Sequence, residues 1–255
     1  MQSLLNHPWE FGLLLLLVLA TTLEAGRRLA VSFRIQEDAN RKDQMVTIRD
    51  GLFVLISLLL GFTLAMAASR YGERRTLLIE EAISIGTTYL RAGTLPSPQR
   101  EQSQQLLRQY VDSRIDLDQA GLDGARFAEA SARSKHIQEE LWSNAAAVAN
   151  SDRTAITAVY INALNETIDL HDKRLGALEN RIPVSIWVLI SSVAIIAVFS
   201  RGLTLTHRFW PTLVLIPLTI AIVVALIADL DTTSTGLIRL DQRAMYRLKA
   251  DLAGR

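Results

Sequence analysis

The sequence predicts an all-α membrane protein: four transmembrane helices with a helical bundle domain inserted between spans two and three. Three observations carry that expectation. Apolar residues gather in four blocks, at 8–23, 51–68, 184–199 and 211–228. Each is about as long as a helix crossing a hydrocarbon core of roughly 30 Å at 1.5 Å per residue. Between the second and third blocks the chain is charged yet keeps helical periodicity, and Gly93, Pro96 and Pro183 stand where helices should stop.

Composition narrows the function. Of 255 residues, 49% are hydrophobic, and the formal net charge of +1 gives no global attraction for a polyanion, so nucleic acid is not an expected partner. The absence of Cys removes disulfides, thiolate metal sites and a Cys nucleophile. His7, His136, His171 and His207 lack metal-ligand spacing and read as surface or interfacial residues. No P-loop, G-x-S-x-G, H-E-x-x-H or dinucleotide fingerprint is present, so neither an enzyme nor a cofactor is expected.

Taken in order, the first span opens with Pro8 in a first turn and Trp9 at headgroup depth, then the leucine run 13–17. Its N-terminal flank has no Lys or Arg and no small-residue cleavage site follows, which favours a retained span over a signal peptide. Glu24 near its end either reaches back to the interface or belongs to an ion pathway. Residues 26–50 read as a polar loop with some helical periodicity through Leu29, Phe33, Gln36 and Asn40.

In the second span, Ser57, Gly61, Ala65 and Ser69 recur every four residues. Small residues let helices approach closely where lipid offers no hydrophobic drive. The stripe is therefore a packing surface, either alone or beside larger residues that face a channel lumen; the pattern leaves both open. No Pro interrupts 51–92, so this helix leaves the membrane unbroken and turns amphipathic, with Leu77, Leu78, Glu81, Ile85 and Tyr89 near a 3.6 period.

Ser97-Pro98 marks the next helix start, as N-cap and first helical position. Leu106, Leu107, Tyr110, Val111, Arg114 and Leu117 give that helix one apolar face. A turn at 121–124 and an Ala-rich helix over 125–149 follow. Ser151-Asp152 caps a last helix carrying Tyr160, Leu164 and Ile168. Mixed charges over 69–183 read as solvated faces with i,i+4 pairs around a four-helix bundle.

Pro183 breaks the chain before span three, residues 201–210 (with Arg201 and Arg208) form a turn, and Pro217 predicts a kink in span four. That span ends at Asp229 and Asp231, followed by Thr232, Thr233 and Ser234. Two carboxylates there are candidate cation ligands by their oxygens, although a polar stop is the favoured reading. Residues 229–255 form a tail ending in an amphipathic helix over 241–252. Basic residues balance across the spans, so the positive-inside rule does not decide orientation.

Ser57 to Phe62 (Ser-x-x-x-Gly-Phe), followed eight residues after the Phe by Arg70-Tyr71-x-Glu73-x-Arg75, resembles the second-span signature of the bestrophin channels. The continuation to Ala92, with Asn165-Glu166 to Asp169, Arg181-Ile182-Pro183 and Asp229-Leu230-Asp231, looks like a bacterial group of bestrophin-like membrane proteins. The resemblance implies a homopentameric ion channel, passing anions such as chloride or cations, with self-association in the lipid bilayer of a cell inner membrane. The helical domain and both termini are then cytoplasmic. By position it implies a hydrophobic neck at Val54, Leu58 and Phe62, with Ser57, Gly61, Ala65 and Ser69 as the packing stripe beside it. Arg70, Glu73, Arg74 and Arg75 become charges at the pore mouth. The sequence departs from the family pattern at Leu55, where Pro is usual, at Gly72, where an aromatic is usual, and at Asp229 and Asp231, which replace a longer acidic calcium clasp. The competing expectation is a non-conducting membrane protein whose helical domain docks a partner.

Overall fold

The computed structural model describes residues 5–33, 39–121, 123–151, 154–205, 210–232 and 236–254. All regular structure among them is helical: α1 (Pro8–Ser32), α2 (Ala39–Ala92), α3 (Gln99–Gln119), α4 (Gly124–Ser151), α5 (Ala155–Glu179), α6 (Val184–Leu203), α7 (Trp210–Asp231) and α8 (Arg243–Ala253). The four apolar blocks fall in α1, α2, α6 and α7, and four helices are long and apolar enough to cross a membrane. The stretch 26–50 is not one loop; α1 runs through Ser32 and α2 is already helical at Ala39. The helical expectation at Gln36, the cap at Asp152, Arg208 in the turn, and Thr233 and Ser234 after span four lie outside the described residues.

Two helix starts differ from expectation. α3 begins at Gln99 with Pro98 as its N-cap, one residue later than the Ser97 signal suggests. α5 is capped by Thr154, whose extended backbone lets its Oγ1 accept from the N–H of Thr157. Ser151 ends α4 instead, its hydroxyl donating to the carbonyls of Ala147 and Val148.

The chain divides into two compact units, the first made of residues 1–70 and 181–238. Here α1 packs on α6 and α7, with Leu15, Leu19, Leu23, Ile190, Ala194, Val198 and Val224 in the core. Phe11 meets Trp187 edge to face, with ring centroids 5.8 Å apart. α2 contributes one side only, burying Ile56 and Ala67 with Phe53, Leu59, Leu60 and Leu64 partly covered. The closest backbone approach is between Gly26 of α1 and Gly202 of α6, where a Cβ on Gly26 would stand 2.5 Å from the carbonyl oxygen of Phe199. Backbone cannot yield as a side-chain tip can. Gly202→Ala should therefore cost about 3 kcal/mol, read as a lowered thermal midpoint and an aggregated fraction on size exclusion. Gly61→Ala, which meets nothing within 4 Å in the chain, should leave the fold of each chain intact.

The second unit comprises residues 71–180 and 239–255. The outer part of α2 joins α3, α4 and α5, as the sequence suggests, and α8 completes the bundle rather than trailing from it. Met245 and Leu252 of α8 are buried in the core formed by Leu78, Ile85, Leu107, Tyr110 and Leu141. Arg108 donates to the carbonyl of Leu252 at 3.0 Å, and Lys249 pairs with Asp112 at 2.8 Å. α2 and α5 are further joined by buried hydroxyls: Thr167 lies 2.9 Å from both Ser84 and Thr88, and Thr88 donates to the carbonyl of Ala163.

Candidate functional site

Within the first unit, α2 is packed on one side and bare on the other. Ile56, Thr63 and Ala67 are 2%, 4% and 0% exposed, whereas Val54, Leu58 and Phe62 are 71%, 53% and 66% exposed. The three exposed residues follow one another at four-residue steps and so share a face. Among the described residues none covers the small stripe either: Ser57, Gly61, Ala65 and Ser69 are exposed, and the hydroxyl of Ser57 turns back to the carbonyl of Phe53. The stripe is thus not a packing surface within the chain. The close contacts between small residues instead occur at Gly12 against Ala225 and at Gly26 against Gly202, which the four-residue pattern did not reveal.

The four charges that follow differ in exposure. Arg74 is 1% exposed in the single chain. Arg75 lines a cavity with α8. Glu73 is exposed and Arg70 is half-buried.

The second unit contains a charged cluster that the sequence reading did not identify. Glu81 of α2 is fully buried, and both its oxygens are bound by Arg114 of α3 (Nε to Oε1, 2.7 Å) and Arg174 of α5 (Nη1 to Oε2, 2.7 Å). Arg174 also donates to Asp118 at 3.2 Å. Gln138 of α4 donates to the hydroxyl oxygen of Tyr110, and that hydroxyl lies 3.0 Å from Nδ1 of His171. Three helices, α2, α3 and α5, therefore converge on one carboxylate, and α4 joins through the Tyr110 hydroxyl. Burial pushes the Glu81 carboxyl up, but the charges and hydrogen bonds of Arg114 and Arg174 outweigh it, leaving the group ionised and below its usual range. Burial raises the Tyr110 phenol, with Glu81 adding to the effect.

His171 is not a surface residue; it is 3% exposed. Burial, together with the positive charge of Arg114, lowers its pKa to about 4. Neutral, with Tyr110 as donor to Nδ1, it carries its proton on Nε2. The unfolded chain takes up a proton near pH 6.5 and the folded chain does not, so stability is complete above that value and falls as pH drops toward 4. The loss approaches about 3 kcal/mol. Thermal midpoints between pH 7.5 and 5 should show this slope, and His171→Gln should flatten it.

Asp229 and Asp231 are buried and engaged by donors. Asp229 accepts from the N–H groups of Leu237 and Ile238 at 2.9 Å, and Asp231 accepts from the N–H of Ile182 at 2.9 Å and faces Arg181 at 3.7 Å. Among the described residues, no cluster of three or more His, Asp or Glu has metal-binding geometry. Glu24 is held in α1 by Arg27 at 2.7 Å and Arg28 at 3.0 Å.

A family profile described as a Bestrophin-like domain matches residues 13–245. Two single-mutant crystal structures of a bacterial bestrophin homolog from Klebsiella pneumoniae are similar in fold, with TM-scores of 0.72 and 0.71 at 16% and 15% identity. Each covers 96% of this chain, and 99% and 97% of their own chains are matched. A crystal structure described as that of a membrane protein gives 0.72 at 15% identity, over 95% of this chain and 98% of its own. No curated protein matches the chain.

Proposed function

Because this chain belongs to the bestrophin-like family, we propose that it works as a homo-oligomeric ion channel, five-fold as the family resemblance implies, with α2 of each copy lining the pore. One observation carries the reading. Three large apolar side chains, Val54, Leu58 and Phe62, stand uncovered along one face of a helix whose opposite face is packed. Copies arranged about an axis would turn each into a ring, and apolar rings of small radius gate by losing water. Ser57, Gly61, Ala65 and Ser69, bare in the single chain, would then pack against the neighbouring copy.

Of the four charges beyond the neck, Glu73 comes closest to the line of Phe62, about 20° round an ideal helix. A carboxylate ring there favours cations over anions. Glu73→Gln should accordingly shift the reversal potential in asymmetric salt toward the anion side. The unit formed by residues 71–180 and 239–255, and both termini, are assigned to the cytoplasmic side of a cell inner membrane.

The test is an image of the purified particle down its symmetry axis, together with currents from the same preparation in planar bilayers. Five copies around an axial opening, with current, are expected. A monomer or dimer without current overturns the channel and leaves a non-conducting membrane protein whose helical unit docks a partner.

A further inference from the structure

The cavity between α8 and the outer part of α2 has a volume of about 450 Å3 and lies wholly within the second unit. Its wall carries three guanidinium groups, Arg75, Arg243 and Arg247, against one carboxylate, Asp241. Arg243 is paired with Asp241 at 2.6 Å. Arg247 donates to the carbonyl of Arg243, and Arg75 acts on Asp241 only through its charge. Among the described residues, neither Arg75 nor Arg247 forms an ion pair. Asp241 therefore neutralises one arginine and leaves two positive charges on the wall. The remaining lining is apolar or amphipathic: Ile79, 39% exposed, and Tyr246, whose hydroxyl is held by Gln119.

We propose that this cavity binds a phosphate group, and specifically the headgroup phosphate of an anionic phospholipid, clasped by Arg75 and Arg247. Guanidinium forks match phosphate oxygens in pairs, which a lone ammonium does not. Two features favour a lipid over a soluble phosphate. Arg75 follows Ala68, the last residue of the apolar run, by seven helical positions, roughly 10 Å of rise, a depth suited to headgroups. Basic residues just beyond a span, on an amphipathic helix, attract anionic lipid, and the apolar floor at Ile79 and Tyr246 accepts the start of an acyl chain. The site is independent of conduction: it holds whether or not the protein passes ions.

The experiment titrates the detergent-solubilised full chain with short-chain phosphatidylglycerol, short-chain phosphatidylcholine or inorganic phosphate, and reads the thermal midpoint. Phosphatidylglycerol at saturation should raise the midpoint by about 5 °C, and phosphatidylcholine should leave it unchanged. Arg75→Gln/Arg247→Gln should abolish the response, whereas Arg133→Gln, which removes an exposed arginine paired with Asp116 elsewhere in the unit, should keep it. Equal responses to the two lipids, or an undiminished response in the double variant, overturn the site. A rise with inorganic phosphate and none with phosphatidylglycerol overturns the lipid and identifies a soluble phosphate compound as the occupant.

Discussion

Cutting Phe62 back to Ala should raise the current through bilayer-reconstituted protein, at fixed voltage and salt, on the order of tenfold. The reason is the width and wetness of a ring. Phe62 has the largest of the three exposed side chains on the α2 face, so in the proposed oligomer its removal from every copy would widen the constriction most and lower the barrier to water and ions. A drop of about 1.4 kcal/mol in that barrier gives the tenfold change. Leu58→Ala and Val54→Ala should follow in descending order, in step with the volume removed. Because these side chains contribute little to the core of the single chain, all three variants should express as well as the parent. Ile56→Ala is the informative contrast: it is 2% exposed, two residues from Val54, and should damage folding instead. Unchanged current in a well-folded Phe62→Ala protein would place the constriction elsewhere.

Replacing Glu81 by Ala should destabilise the second unit by about 3–5 kcal/mol. The carboxylate is the shared counter-charge of Arg114 and Arg174, which are 0% and 1% exposed. Deleting it leaves two cations in the interior that share Asp118, which pairs directly only with Arg174. Glu81→Gln should recover little, since the amide keeps the volume but not the charge. The revealing variant is the triple change Glu81→Leu/Arg114→Leu/Arg174→Met. If the loss comes from stranded charge and not from loose packing, the triple variant should be far more stable than the single one. The carboxyl lies below its usual value in the fold, so its contribution is present above about pH 4.5 and disappears as acid protonates it. Thermal midpoints of the parent and the three variants between pH 7 and about 3 check both points.

The helices are legible in the sequence, whereas the bare face of α2 is not. Apolar blocks of span length declare themselves by composition alone, and the periodicity of Leu78, Ile85 and Tyr89 required α2 to continue past the last apolar residue. The assignment of Val54, Leu58 and Phe62 came from the resemblance, since exposed and buried apolar residues look alike in a span. The charged cluster was half visible. Glu81 and Arg114 sit at positions of their helices' apolar faces, which is the signature of a buried ion pair, yet partners separated by dozens of residues cannot be matched from a single chain. Arg174 and His171 carried no such mark. Gly26 and Gly202 also escaped notice, because a lone glycine in an apolar helix does not name the helix it touches. Nothing in the last residues distinguished a helix that closes the bundle from one that trails in solvent; that depended on where Leu252 and Met245 find cover.

The place of α8 sets an order of events during synthesis. Its seat is a core shared by α2, α3, α4 and α5, finished by residue 179, but the helix itself starts at Arg243, after α6 and α7 have been made. While those two apolar helices emerge, the seat for Met245 and Leu252 stays open and its apolar floor stays wet. The later apolar helices are therefore synthesised before the bundle of the second unit can close. A chain halted within α7 would display an unfinished hydrophobic surface, which gives chaperones and proteases a means of recognising incomplete copies.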